Sequence, residues 1–431
     1  MSGPAYESLP PKAEGTANVT SITAPSVRSA AVPLVVVIVA GCIIAAIGNG
    51  IRTSFGLFTL PMTADLGMSR EAYGMAMAIQ NLAWGITQPF AGAFADRYGT
   101  ARTVAVGAVI YALGVVLMAY SQTSMLLNLT AGVITGVGIA ICSFSVVMQA
   151  FGRSVPAEKR SFIFGIATAA SSFGQFAFAP IGQGFINAFG WQTALVYLGA
   201  ILLLVVPLSA ALRGRTEAAP GQADMPFFTA LRKAWKFRSY RLLVTGFFVC
   251  GFHLAFINVH MPAFLVQCGL TPEVGSWSIA VIGLFNIAGS LLSGYLGGRV
   301  PKQILLASIY LSRAVAIGLF MLFPVTEVTA YLFAGAMGLL WLSTVPPTAG
   351  LVSVFFGARY MGMLYGIAFL SHQIGSFVGV WLGGYVFDLT GSYNLVWYLG
   401  ILLGLASAAV HLPIREMAAP LFRPASLQPA Q

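Results

Sequence analysis

The most regular feature of the chain is a succession of apolar runs, each of roughly 20 or more residues, separated by short polar or turn segments. About 20 apolar residues is the length that an α-helix needs to cross a bilayer. The pattern therefore predicts an all-α polytopic membrane protein with twelve transmembrane helices. The predicted spans are 33–60, 73–95, 103–120, 125–150, 162–187, 191–212, 242–267, 274–297, 303–323, 328–356, 360–387 and 395–412.

The composition excludes an ordinary soluble protein. The 431 residues are 58% hydrophobic and only 8% charged, whereas about a quarter of the residues of a soluble domain are charged. The 48 glycines suit close packing of helices in lipid. The four cysteines fall in or beside apolar runs without a CxxC pair, so the sequence predicts neither a disulfide framework nor a metal site, and no cofactor.

Two polar segments define the predicted domain organisation. Residues 1–30 are rich in Pro, Ser, Ala and Thr and lack the features of a signal peptide, so they are predicted to be a disordered cytoplasmic tail. Segment 213–241 is the only long internal polar stretch, and it contains seven basic residues. It is predicted to be a cytoplasmic loop between two six-helix bundles, 31–212 and 242–414, with 415–431 as a second tail.

The charges of the loops predict the orientation. The net charge is +10, but the basic residues lie in short loops between apolar runs, which is typical of membrane orientation and not of nucleic-acid binding. With the amino terminus inside, nearly all loop cations are cytoplasmic, and the outer loops keep only Arg70. We therefore expect a protein of the cell inner membrane with both termini in the cytoplasm, surrounded by lipid and acting as a monomer.

The two halves of the sequence repeat each other at an offset of 201 residues. Repeated six-span halves are typical of transporters with the substrate site between the halves, near the middle of the bilayer. The matches are Gly165-Ile166-Ala167 with Gly366-Ile367-Ala368, Gly174 with Gly375, Phe176 with Phe377, Gly190 with Gly391, and Tyr197-Leu198-Gly199 with Tyr398-Leu399-Gly400.

The loop after the second span, Gly92 to Arg102, reads GAFADRYGTAR. It resembles the signature loop of the major facilitator superfamily, G-x-x-x-D-R-x-G followed by basic residues. The second half carries a degraded copy from Gly294 to Lys302, in which Gly298 replaces the acidic residue. Acidic and basic residues at this position can pair across helix ends and hold one conformation shut. The predicted gating residues are Asp96, Arg97, Arg102 and Arg299.

Within that superfamily, the chain resembles bacterial relatives of the monocarboxylate porters and the oxalate/formate exchangers. The residues that carry the resemblance are 50–58 (GIRTSFGLF) and 80–85 (QNLAWG). The resemblance places Arg52 where the porters carry a functional cation. It fails in the eighth span, where those porters carry an arginine and this chain has the uncharged segment 283–290, GLFNIAGS. A lactate-like substrate and the usual proton relay are therefore open questions.

Ionisable groups inside a span are costly and usually functional. Arg52 and Arg313 lie within spans, and no Asp or Glu lies at comparable depth, so the pattern predicts an anionic substrate. For Arg313, a structural role, in which it bonds backbone or neighbouring spans, is the favoured interpretation. Mid-span histidines can carry protons near neutral pH. The predicted substrate-binding residues are Arg52, Gln80, Asn81, Trp84, His253, Trp341 and His372, with His372 and His253 also predicted to couple protons.

The predicted function is secondary transport of a small, monocarboxylate-like organic anion by alternating access, coupled to protons or driven by exchange. The alternatives are an exporter of drugs or metabolites, a transporter of a larger heteroaromatic solute such as a vitamin, and a non-transporting membrane sensor. An enzyme is not expected, because the spans lack a paired acid and base or a metal cluster. No P-loop for nucleotide binding is present.

Overall fold

The computed structural model describes residues 32–155, 157–214 and 227–420, without the side chains of 96, 157–162, 227, 358 and 359. The predicted tail 1–30, the end of the predicted tail 415–431 and part of the central loop lie outside the described residues. The long helices are α1 Leu34–Leu66, α2 Arg70–Tyr98, α3 Thr100–Met118, α4 Ser124–Ser154, α5 157–189, α6 191–212, α7 Arg238–Gln267, α8 Pro272–Leu296, α9 Lys302–Leu322, α10 Glu327–Gly357, α11 Tyr360–Thr390 and α12 Asn394–His411.

The helices confirm the predicted all-α membrane fold. Ten segments of the described chain are long and apolar enough to cross a membrane, and one of them, Ile163–Leu212, has 50 residues. That segment holds two spans, α5 and α6, which meet at Gly190, where φ is 76°. The remaining helix, α2, is less apolar because it carries polar side chains such as Gln80, Asn81 and Gln88 through the bundle.

The packing of the helices follows the sequence repeat. In the first half α1 packs on α5, α2 on α4, and α3 on α6; in the second half α7 packs on α11, α8 on α10, and α9 on α12. The halves meet where α2 packs on α11 and where α5 packs on α8. Each contact in one half thus has its counterpart in the other, as expected for two bundles related by a pseudo-two-fold axis.

Glycines at matching positions allow the closest of these contacts. A Cβ atom at Gly174 of α5 would collide with the Ala46 carbonyl of α1, and one at Gly375 of α11 would collide with the Phe248 carbonyl of α7. Close backbone approach of this kind gives membrane helices their packing energy, because lipid supplies no hydrophobic drive between helices.

The fourth and tenth helices are both interrupted at matching places. The α4 helix breaks at Cys142–Ser143, and α10 breaks between Leu340 and Val345, just before two consecutive prolines, Pro346 and Pro347. The break in α10 leaves backbone groups without helical partners. Side chains of neighbouring helices bind these groups: Arg313 of α9 donates to the carbonyls of Leu340 and Trp341, Asn286 of α8 accepts from the Leu342 amide, and Ser293 of α8 donates to the Ser343 carbonyl.

The glycine contact between α7 and α11 yields a direct test of this packing. Gly375→Ala is expected to lower the stability of the purified protein by about 1–3 kcal/mol, the usual cost of overpacking. Gly366→Ala, on the same helix, is the matched control, because a Cβ there meets nothing within 4 Å. Thermal unfolding in detergent measures both; equal melting temperatures for the two variants would contradict the packing.

Candidate functional site

Arg52 lies between the halves, near the point where α1 tightens into a 3₁₀ turn at Phe55–Phe58. Its Nη2 atom donates to Asn81 Oδ1 of α2 at 3.1 Å, and its guanidinium lies over the Trp84 ring, 4.5 Å from the centroid. Both partners are neutral. Among the described residues the one ion pair is Lys302–Glu416, at a distant helix end, so no carboxylate neutralises Arg52 in this structure.

The guanidinium faces a narrow cleft between α1, α2 and α7. The space in the cleft is about 10 Å³, which is room for about one water molecule. Asn258 of α7 contributes a buried Oδ1 atom that has no hydrogen-bond partner among the described residues. The cleft thus combines polar and apolar groups, is shared by both halves and is too small for an organic solute in this conformation. Its lining residues are Arg52, Phe55, Met77, Gln80, Asn81, Ala255, Asn258 and Val259.

A chain of hydrogen bonds connects Arg52 with His372 of the opposite half. The carbonyl of Asn81 accepts from Gln373 Nε2 at 2.9 Å, and Gln373 Oε1 lies 2.9 Å from His372 Nδ1. Because Gln373 uses its amide nitrogen toward Asn81, its oxygen is the acceptor, and Nδ1 of His372 therefore carries a hydrogen. In the neutral ring of this tautomer the lone pair lies on Nε2.

Aromatic rings surround the same polar chain. Trp84 contacts Phe369 edge to face at 5.3 Å between centroids, and Phe369 stacks on His372 at 5.7 Å with an interplanar angle of 8°. Phe247 of α7 covers His372 from another side, at 5.0 Å. The rings of α2, α7 and α11 thus form one cluster next to Arg52.

The other polar residues of α2 anchor the helix to α4. Gln80 donates to the Ala131 carbonyl at 2.8 Å. The indole of Trp84 donates to Gln88, which donates in turn to Ser143 at the break of α4, at 2.8 and 3.0 Å. These bonds fix the Trp84 ring in the position where it meets Arg52.

Three of the predicted substrate-binding residues, Arg52, Gln80 and Asn81, line the cleft. Trp84 and His372 lie beside it, through their contacts with Arg52 and Gln373, and the other two lie elsewhere. His253 lies on another face of α7, with Nε2 2.8 Å from the Gly400 carbonyl of α12. Trp341 is buried in the apolar core of the second half, beside the break of α10. Arg313 bonds backbone carbonyls at that break, in agreement with the favoured interpretation. Roles for His253 and Trp341 in binding stay predictions.

Some residues of the site were not singled out from the sequence. Asn258 and Gln373 are polar residues in the middle of the seventh and eleventh spans, and Phe369 lies one turn before His372. The uncharged eighth span also has a defined role. Asn286 donates to Ser172 of α5 at 2.9 Å, so an amide joins the two halves where the porters are expected to carry an arginine.

Comparison with known proteins identifies the family. The family model of the Major Facilitator Superfamily matches residues 38–380. The chain belongs to the Major Facilitator Superfamily. It is therefore a multi-pass membrane transporter and not an enzyme.

Relatives within the superfamily share most of the chain. An uncharacterised MFS-type transporter from Bacillus subtilis, YcxA, is 27% identical over 84% of this chain and 91% of its own length. Monocarboxylate transporter 13 from Rattus norvegicus is 26% identical over 80% of each chain. The crystal structure of a nucleoside transporter, NupG, has the same fold, with a TM-score of 0.72 at 13% identity, covering 88% of this chain and 99% of that one.

One end of this superfamily member is held shut by contacts between its halves. The carboxylate of Asp388, at the end of α11, accepts from the backbone N–H groups of Arg70 and Glu71 at 3.1 and 2.7 Å. These are unpaired amides at the positive end of the α2 dipole, so a carboxylate binds there favourably. Asn187 and Glu273 form a second contact between the halves, at 2.9 Å. We call this side the closed end.

The signature loop of the superfamily lies at the opposite end. Arg97, Arg102 and Arg299 are exposed and form no ion pair among the described side chains. Arg97 lies over Tyr98, and Arg299 lies over Tyr295. The side chain of Asp96 lies outside the described residues, so the predicted gating role of these four residues stays a prediction.

The closed end yields a test of conformation. Asp388→Ala removes both acceptors for the α2 amides. The lost charge-assisted hydrogen bonds are worth about 1.5–3 kcal/mol, so the fraction of molecules in which this end is open is expected to rise roughly tenfold. A cysteine at Val259, which lines the cleft, reports the opening through its rate of modification by a membrane-impermeant thiol reagent, in a background with Cys268→Ser.

Glu327→Ala is the matched control, because Glu327 is an exposed acid at the start of α10 and thus at the same end. Its labelling rate is expected to equal that of the parent. Equal rates in the Asp388→Ala variant and the parent would show that Asp388 does not hold this end shut.

Proposed function

We propose that this transporter carries a small organic anion with a carboxylate group, and that Arg52 binds that carboxylate. The observation that carries the proposal is the uncompensated guanidinium between the two halves. A charge inside a membrane protein needs a partner, and Arg52 has only an amide and an indole in this structure. A substrate anion is a partner that arrives and leaves.

The geometry suits a carboxylate. The guanidinium offers further N–H groups besides the one that donates to Asn81, and its planar fork matches the two oxygens of a carboxylate. Gln80 and Asn258 line the same cleft and supply polar groups for the rest of a small solute. The likeness to monocarboxylate transporter 13 supports the same substrate class.

The small volume of the cleft requires that the halves move apart for binding. In the proposed cycle, the halves rock about the substrate, and the contacts of Asp388 at the closed end alternate with contacts of the loop that contains Asp96, Arg97 and Arg102, together with Arg299. The exposed arginines of that loop are in keeping with a conformation that is shut only at the Asp388 end.

We propose His372 as the proton-binding group. Its Nε2 accepts the proton, and the resulting cation lies one hydrogen-bonded chain away from Arg52, through Gln373 and Asn81. A positive His372 favours an anion nearby, and anion binding in turn favours the protonated ring. Binding of proton and anion is therefore mutually reinforcing, as symport requires.

The aromatic cluster favours a second candidate substrate, an acid that also carries a planar ring. Trp84, Phe369 and Phe247 offer ring faces and edges beside Arg52. Competition separates the two candidates. If the carboxylate alone is recognised, aliphatic monocarboxylates compete with the best aromatic acid when the two are present at similar concentrations. If the ring is also bound, aliphatic monocarboxylates compete only weakly.

We also propose that the end with the signature loop faces the cytoplasm of the cell inner membrane, with both termini on that side. The excess of Lys and Arg in the loops at this end supports the orientation, and Arg70 is the one Lys or Arg in the described loops of the closed end.

The role of Arg52 is tested by two substitutions. Arg52→Lys keeps the charge and loses the fork, so it is expected to weaken uptake of the best anion in part. Arg52→Gln removes the charge as well, and the lost interaction of about 1.5–3 kcal/mol or more predicts at least a tenfold loss of apparent affinity. Radiolabelled uptake into vesicles at matched protein levels measures both variants.

Arg415→Gln serves as the control for loss of one positive charge, because Arg415 is exposed and lies beyond α12. It is expected to transport like the parent. Full-rate uptake with unchanged apparent affinity in the Arg52→Gln variant would overturn the proposed anion site.

The role of His372 is tested by the dependence of transport on a pH gradient. His372→Gln retains a polar side chain without a titrating group, so uptake is expected to lose its stimulation by an inward proton gradient, whereas exchange of anion for anion continues. His411→Gln is a useful comparison, because His411 is buried against Tyr310 and the Ser407 carbonyl, away from the cleft. An unchanged response to the gradient in His372→Gln would exclude His372 as the proton carrier.

A further inference from the structure

A short amphipathic helix, Phe227–Lys236, precedes α7, and we call it the linker helix. Its residues fall into three stripes. Ala230 and Ala234 are fully buried and face the protein. Large apolar side chains form the second stripe, and basic side chains the third. The apolar stripe consists of Phe228, Leu231 and Trp235, and the basic stripe contains Arg232 and Lys236.

The apolar stripe borders a cavity at the surface of the second half. The cavity has a volume of about 620 Å³ and lies between the linker helix, Arg241 of α7 and Ile367 of α11. Trp235, a large side chain at its edge, is 47% exposed. Apolar surface of this kind is costly in water and is stabilised by contact with acyl chains.

The rim of the cavity is cationic. Arg232, Lys236 and Arg241 lie on its edge, and the sequence from residue 227 to 241 contains no Asp or Glu. The apolar core of α7 begins directly after Arg241, at Leu242, so these cations lie at the level where a span leaves the membrane. A cationic rim over an apolar groove at that depth is complementary to an anionic headgroup attached to an acyl chain.

We propose that this groove is a binding site for one anionic phospholipid. Its phosphate is held by Arg232, Lys236 and Arg241, and one acyl chain lies against Leu231, Trp235 and Ile367. A free anion would leave the apolar side chains uncovered, and a zwitterionic lipid would leave the cations uncompensated. A lipid bound here joins the linker helix to α7 and α11, and so stabilises the second half of the protein.

The experiment uses the full-length, delipidated protein in detergent. Phosphatidylglycerol is added, and native mass spectrometry counts bound lipid while thermal unfolding measures stabilisation. The parent is expected to retain one phosphatidylglycerol and to melt at a higher temperature with it. Phosphatidylcholine and inorganic phosphate are expected to give neither effect. The site is independent of the substrate, so no transport measurement enters the test.

The variants separate a specific site from a general attraction of charge. Arg232→Gln/Lys236→Gln is expected to bind phosphatidylglycerol at least tenfold more weakly. The control Arg238→Gln/Arg415→Gln loses the same charge at exposed positions that do not line the groove, and is expected to bind like the parent. Trp235→Ala is expected to weaken lipid binding without adding or removing a charge.

Several results would overturn the proposal. Equal loss of phosphatidylglycerol affinity in the two double variants would mean that the lipid is attracted by net charge and does not bind at a specific site. Unchanged binding in Arg232→Gln/Lys236→Gln would place the lipid elsewhere. Equal stabilisation by phosphatidylcholine or by phosphate would show, respectively, an apolar groove without headgroup selection or a simple anion site.

Discussion

The guanidinium of Arg52 lies at the interface of two helical bundles within a membrane. Its charge constrains which side chains can surround it. Arg52 cannot lose its proton at physiological pH, and the described residues offer it no carboxylate. The helix that supplies its partners, α2, is accordingly the least apolar of the long helices, and Gln80, Asn81 and Gln88 run along it. The bonds of this helix to α4 and α11 hold the Trp84 ring and the Asn81 amide against the charge.

The same need to satisfy polar groups within the membrane explains the contacts at the break of α10 in the second half. The α10 helix is broken beside a proline pair, and the freed backbone groups would be costly in an apolar interior. Arg313, Asn286 and Ser293 bind them, so these residues serve the helix and not the solute. The two arginines within the spans thus differ in their surroundings: Arg313 is satisfied by carbonyls within one half, whereas Arg52 lies between the halves with neutral partners only.

Much of this architecture could be predicted from the sequence, because span length, glycine positions and the repeat are local properties. Gly190 and Gly391, matched by the repeat, both adopt positive φ. The break of α10 is signalled by Pro346 and Pro347, whereas the break of α4 at Cys142–Ser143 has no proline to signal it. The sequence could not distinguish His253 from His372, because the surroundings of each ring depend on how its helix is rotated in the bundle. The His253 ring contacts a carbonyl of α12, whereas the His372 ring contacts Gln373.

The measurement that tests the account most directly counts the protons taken up when the anion binds. Titration calorimetry of the purified protein with its best anion, in buffers of different ionisation enthalpy and at several pH values around neutrality, gives that number. The account predicts a net uptake of up to about one proton per anion in the parent, near zero for His372→Gln, and anion binding at least about tenfold weaker for Arg52→Gln. Tight anion binding without proton uptake in the parent, or unchanged binding without Arg52, would contradict it.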